Sequence, residues 1–339
     1  MKKPASRASL LLALSPLTAF AQSTVNIYGR VDLGIDSTKT GSNSVLQQRD
    51  NASRLGFRGV EDLGDGMKAN FGFEMGVTFD TGVPTTPMFR NSYVGIGGTF
   101  GNFAMGRLDS ANPTGSPFYS LVTKNVAFTI HDAGATAIGT RVLNARNRTS
   151  RSIGYSSSDL GGATFMARYN FNGLDVPLTA TGPIKLDSDI RQVDLGVNYQ
   201  AGALGLGLGF GKDSIAGGLA NNGFDKKYMA VASYKLGAVK GYGLYGQDSY
   251  KGTAKTRSDV NYWLVGAQYD AGVNEITANY MQRAVQADLT GTLKKFQISY
   301  AYKLSRRTQL FALYDRDDPN TNVQNDVIRT VSFGIRHNF

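Results

Sequence analysis

Cysteine is absent from this 339-residue chain. That excludes a disulfide framework, which a chain of this size does not need, and it is compatible with an oxidising compartment. Histidine is nearly absent, with only His131 and His337. No H-E-x-x-H, C-x-x-C or P-loop occurs, and no run of acidic residues has EF-hand spacing. The reading is therefore no cofactor, no metal and no enzyme. His131 stands beside Asp132, but a catalytic triad is a geometry and not a neighbourhood. A satisfied or solvated loop histidine is the expectation there. Past the N-terminus there is also no run of roughly 18 apolar residues, so no membrane helix is supported.

The N-terminus has a different signature. Lys2, Lys3 and Arg7 are basic, Leu10 to Leu14 begin an apolar run, and Ala19-Phe20-Ala21 resembles a cleavage site. Residues 1–21 read as a secretory signal and 22–339 as a single domain. Losing three basic residues lowers the net charge from +10 to +7. Basic charge can mark a nucleic-acid binder, but export argues against a nucleic-acid partner.

What the chain does have is glycine, 41 residues of it, together with 17 tyrosines and 18 phenylalanines. Gly and aromatics at short spacing suit antiparallel β-structure. Alternating runs recur at 25–36, 53–61, 67–79, 89–97, 102–108, 150–157, 163–171, 190–200, 204–212, 227–236, 239–249, 259–269, 273–283, 293–304, 307–316 and 327–339, sixteen in all. In a strand, successive side chains point to opposite faces. Val331, Phe333, Ile335 and Phe339 share one parity, and Ser332, Gly334, Arg336 and Asn338 the other. Phe296, Ile298, Tyr300 and Tyr302 likewise oppose Lys295, Gln297, Ser299 and Lys303. Strand after strand has one oily and one charged face. The connectors alternate between tight turns such as Asp270-Ala271-Gly272 and long segments such as 37–52, 80–88 and 109–149. This is the asymmetry of an outer-membrane barrel. The expected fold is all-β: a sixteen-stranded antiparallel transmembrane barrel with lipid outside and water inside. Tyr199, Tyr234, Tyr269 and Phe339 fall near strand ends, where an aromatic ring suits headgroup depth. Gly205, Gly207, Gly209 and Gly211 strip one face of strand 204–212 of side chains. Either a loop packs there or the lumen widens.

Five segments add a resemblance: VNIYGRVDLGID (25–36), SRLGFRGVEDLGDGMKANFGFE (53–74), RNSYVGIGGTFGNFAMGR (90–107), YKLSRRTQLFALYD (302–315) and GIRHNF (334–339). In this order, the chain resembles a Gram-negative general porin of the β-proteobacterial type. The resemblance implies a passive diffusion channel of the bacterial outer membrane for small ions and hydrophilic solutes. It further implies a homotrimer in contact with outer-membrane lipid and lipopolysaccharide, short turns on the periplasmic side, and insertion by the barrel-assembly machinery, with Phe339 helping to mark the chain. The third long loop should fold into the lumen. Segment 109–149 is the longest connector, and Phe118, Tyr119 and Phe128 lie in apolar patches that a solvated disordered loop would rarely contain.

The family's constriction sets a basic wall cluster against acidic residues of that loop. Carried over by motif, the basic positions are Arg30, Arg54 and Arg90, with Arg148 or Arg151 just after the loop, and Arg58 and Arg107 as additions. Parity places Arg30, Arg54 and Arg58 toward the lumen. On the loop side the candidates are Asp109, Phe118, Tyr119, Lys124 and Asp132. Only two of these are acidic, so the narrowing should be positive and anion-preferring. A solute-specific channel and a surface adhesin are the alternatives. The first would need an ordered binding track, and the second has no need of charged inner faces.

Overall fold

The computed structural model describes residues 24–109, 114–131, 143, 148–171, 190–215, 224–250, 259–284, 291–319 and 326–339. The signal assigned to 1–21 lies outside them, as does Asp132. The strands are β1 (Thr24–Thr40), β2 (Asn43–Asp50), β3 (Arg54–Gly64), β4 (Met67–Thr78), β5 (Val83–Gly98), β6 (Gly101–Asp109), β7 (Arg148–Ser156), β8 (Ala163–Asn170) and β9 (Ile190–Ala201). They continue with β10 (Leu204–Ile215), β11 (Phe224–Leu236), β12 (Val239–Tyr250), β13 (Val260–Ala271), β14 (Asn274–Ala284), β15 (Thr292–Lys303), β16 (Thr308–Asp318) and β17 (Ile328–Asn338).

From β3 onward each strand pairs antiparallel with the next, and β17 returns to pair with β1. Closure leaves no sheet edge, which a membrane requires because lipid cannot satisfy a bare backbone. β1 pairs with β3 over its first half and with β2 over its second, so β2 and β3 together form one stave and the barrel has sixteen.

Strand β2 corrects the expectation of an open loop at 37–52. The backbone ladder continues to Thr40, turns at Gly41 with φ 57°, and returns. Here both faces are polar or mixed, so alternation gives no signal, yet the backbone hydrogen bonds persist. For the same reason β5 starts at Val83, inside the expected connector 80–88.

The burial pattern is the reverse of a water-soluble core. Val25, Phe333 and Ile335 are exposed on the outer wall, while Asp32, Asp194 and Lys227 are buried on the inner one. Tyr199, Tyr234, Tyr269 and Phe339 all point outward near the ends of their strands. Apolar outside and charged inside is the pattern of a barrel that separates lipid from water.

Candidate pore constriction

The third long connector enters the barrel. Helix α1 (Pro117–Asn125) starts with Pro in its first turn and with Ser116 as its cap, whose Oγ accepts from Tyr119 N at 3.3 Å. Phe118, Leu121, Val122 and Asn125 are buried on one face, and that face lies on β9, β10 and β11. The glycines of β10 make the approach possible. A Cβ at Gly209 would meet Phe118 at 2.8 Å, and one at Gly207 would meet Leu121 at 2.7 Å. Of the two readings left open for this glycine face, a closely packed loop is the one found.

Polar bonds then carry the segment around the wall. Asn125 Nδ2 donates to Asn198 Oδ1 at 2.8 Å, and Ser233 Oγ donates to Asn125 Oδ1 at 3.1 Å. Tyr242 OH and Asn279 Nδ2 both donate to the carbonyl of Ala127, at 3.1 and 3.0 Å. Thr129 Oγ1 donates to Gln297 Oε1 at 3.0 Å. His131 reaches β1, with Nδ1 2.7 Å from Asp32 Oδ1. Residues 117–131 thus line the inner wall from β9 to β1.

Beneath this segment lies a set of buried ion pairs. Lys227 Nζ is 2.7 Å from Asp248 Oδ1 and donates to the carbonyl of Leu143 at 2.9 Å. It also lies over the rings of Phe118 and Tyr262, at 5.5 and 4.6 Å from their centroids. Arg283 holds the other oxygen of Asp248 at 2.6 Å. Lys295 sits between Asp315 and Asp317, at 2.6 and 2.9 Å. Arg168 pairs with Asp194.

The other side of the barrel carries a belt of arginines. Arg30 and Arg54 are register partners across β1 and β3. Like charges placed opposite each other cost stability, so such a pair needs compensation. Glu74 provides part of it, 2.9 Å from Arg90 Nε and 3.9 Å from Arg54 Nη1. Asp109 lies 2.5 Å from Arg148 Nε and 3.9 Å from Arg90 Nη2. Arg58 stacks over Tyr28 at 4.9 Å from the ring centroid. Arg336 of β17 grips Asp32 Oδ2 at 2.5 Å. Arg49 of β2 pairs with Asp36 of β1, and with them the described residues named here from Arg148 round to Arg336 supply seven guanidinium groups against four carboxylates.

The candidates drawn from the sequence are thus only partly brought together. Arg30, Arg54, Arg58, Arg90 and Arg148 share the belt. Arg107, at the bulge after Gly106, donates to Ser150 Oγ at 2.5 Å. Arg151 is exposed at φ 52°. Asp109, expected on the loop, is the last residue of β6, so its carboxylate belongs to the wall. Phe118 is buried against the glycine face. Tyr119 stacks on Phe128 at 5.9 Å. Lys124 lies in the last turn of α1, exposed, with its pKa lowered by partial desolvation and opposed by the field of Asp159. No motif in the sequence marks Arg336, Asp32 or Glu74 as a site residue. Their wet-face parity was the available signal, but parity alone does not say at what depth a charge lies.

Comparison with known proteins agrees with this architecture. A family model described as Gram-negative porin matches residues 8–322. Outer membrane porin protein 32 of Delftia acidovorans is 29% identical, over 97% of this chain and 99% of its own length. An outer membrane porin protein of Bordetella pertussis is 26% identical over the full length of both. Among solved structures, the anion-selective porin from Comamonas acidovorans has a TM-score of 0.74 at 24% identity, covering 94% of this chain and 100% of that one. OmpT of Vibrio cholerae in its trimer form gives 0.65 at 15% identity, covering 94% and 99%.

Proposed function

This chain belongs to the Gram-negative porin family, and from that premise we propose that it passes small hydrophilic anions in preference to cations, through a narrowing between residues 117–131 and the arginine belt. It is an outer-membrane diffusion channel, not an enzyme. The sign of its selectivity and the residues of its narrowing form the proposal.

One observation carries the reading: the excess of guanidinium over carboxylate along the wall from Arg148 to Arg336. Arginine stays charged at any working pH. Fixed charges of one sign in a water-filled passage with low-dielectric walls raise the local concentration of the opposite ion. The exposed Lys124 on the loop adds to that sign. The description of the Comamonas acidovorans relative as anion-selective supports it.

The proposed working form is a homotrimer, supported by a structural neighbour in trimer form. Lipid and lipopolysaccharide would meet its apolar outer wall, the barrel-assembly machinery would insert it, and residues 1–21 would be removed on export. Reversal potentials in a KCl gradient across a planar bilayer test the selectivity. A potential of the sign set by chloride is expected, and a clear cation preference would overturn the proposal.

A further inference from the structure

At the tight-turn end of the barrel, the inner wall from β3 to β6 borders a cavity of about 560 Å³. The strand registers build it from rows of inward positions. One row runs Arg58, Gly72, Tyr93 and Gly106, the next Val60, Asn70, Gly95 and Ala104, and the last Asp62, Lys68, Gly97 and Asn102. In each row a glycine leaves room for the polar side chain beside it. The Tyr93 ring covers Gly72, where a Cβ would lie 2.5 Å from Cε1. Asn70 Oδ1 covers Gly95, 2.7 Å from such an atom, and Asn102 Oδ1 covers Gly97. Two carboxamides, a phenol and the Lys68 ammonium thus face one hollow, with Thr114, just before α1, at its edge. Among the described residues, the side chains of Lys68, Asn70, Tyr93 and Asn102 make no hydrogen bond and no ion pair. Asp62, level with Lys68, is turned to its own turn and accepts from Gly64 N–H at 2.9 Å. Arg58 lies one row toward the arginine belt, four residues along β3 from Arg54.

We propose that this cavity is a second solute site, on the tight-turn side of the narrowing, and that it takes small polyhydroxylated carboxylates of the sugar-acid class. The proposal rests on the anion-preferring reading above and names which organic anions the channel holds on their way through. The arginine belt offers charge alone, whereas this cavity offers charge and neutral hydrogen-bonding groups together. A carboxylate matches the ammonium of Lys68, and Arg58 extends the positive path from Arg54 toward it. A carboxamide has two N–H donors and a carbonyl acceptor, and the phenol of Tyr93 both donates and accepts. Hydroxyls also donate and accept, so a polyol chain satisfies Asn70, Asn102 and Tyr93 whichever way each is turned. An alkyl carboxylate strips water from the same groups and returns no bond, which is a net cost. A neutral polyol answers the amides but leaves Lys68 and Arg58 without a counter-charge. The size fits as well, since small-molecule sites typically enclose about 300–1,000 Å³.

The test uses the full mature protein as single channels in planar bilayers carrying chloride current, so that every channel scored is an assembled one. Gluconate, hexanoate and sorbitol, matched in carbon-chain length, are added in turn to both sides. Gluconate is expected to block the current saturably, at a half-blocking concentration about tenfold below those of the other two. Asn70→Ala combined with Asn102→Ala should raise that concentration about tenfold, the effect of losing two ordinary hydrogen bonds. Lys68→Gln should also raise it severalfold, and Lys68→Arg should restore it. Equal block by gluconate and hexanoate would overturn the site, as would a gluconate block that neither the double variant nor Lys68→Gln weakens. The reversal potential in a KCl gradient without gluconate is read on the same wild-type channels. If chloride sets that potential and gluconate gives no saturable block, the anion preference stands and the sugar-acid site falls alone. If potassium sets it, the anion-preferring reading falls and the site falls with it.

Discussion

Gly29 and Phe339 exchange two backbone hydrogen bonds, Gly29 N–H to the carbonyl of Phe339 at 3.0 Å and Phe339 N–H to the carbonyl of Gly29 at 3.1 Å. The last residue of the chain is thereby tied to the first stave, one rung beyond the Arg30–Asn338 register pair. The Phe339 ring occupies the place where a side chain at position 29 would begin, since a Cβ there would lie 2.8 Å from Cε2.

Deleting Phe339 should therefore weaken closure at the seam between β1 and β17. Most of the protein should fail to reach the folded, outer-membrane form, while molecules that do assemble conduct normally. Gly29→Leu should reproduce the defect through steric conflict with the ring. The folded fraction in isolated outer membranes, followed by heat-modifiable gel migration, checks both. Unaffected assembly would remove Phe339 from this role.

The glycine face of β10 predicts a second set of effects. Gly209→Leu would force Phe118 off the wall, and overpacking of this kind costs about 1–3 kcal/mol. Phe118→Ala empties the same seat, at a cost of about 3–5 kcal/mol for a buried Phe. Single-channel conductance should change in both variants, because both displace α1. Chemical-denaturant unfolding in detergent gives the stability term.

For the arginine belt, Arg54→Glu should move the reversal potential toward cation selectivity, and more so than Arg107→Glu or Arg151→Glu, whose parent side chains are placed differently. The difference should shrink as salt rises from 0.1 M to 1 M, because the screening length falls from about 10 Å to about 3 Å. Bilayer reversal potentials at the two salt concentrations provide the check.

Lys227 offers a test of the buried side. Lys227→Met leaves Asp248 paired with Arg283 but removes the bond to the Leu143 carbonyl. Removing one partner of a buried ion pair costs about 3–5 kcal/mol when the other charge is left uncompensated, and Arg283 should hold the cost below that. Lys227→Met with Asp248→Asn should recover part of that loss, and thermal unfolding of the three proteins measures it. Equal loss in the single and double variants would show that the pair is not the stabilising element.

Much of this protein was legible in its sequence, and the reason is periodicity. Lipid on one side and water on the other impose a period of two along each stave, and the sequence displays it from Val25 to Phe339. Strand number, outward aromatics such as Tyr234 and Tyr269, and closure of the last strand onto the first all follow from that alternation. Where polar and apolar residues share both faces, as at Asn43–Asp50, the period vanishes and the strand could not be read. The site depended on contacts between distant residues. Parity placed Arg30, Arg54 and Arg58 on the wet face, but it could not show that Glu74 lies between Arg54 and Arg90 or that Arg336 holds Asp32. Nor could it bring His131 to Asp32, 99 residues away in sequence, or choose between a packed loop and an open lumen over Gly207 and Gly209. Alternation determines which way a side chain points. The closing of the barrel determines which side chains meet across it.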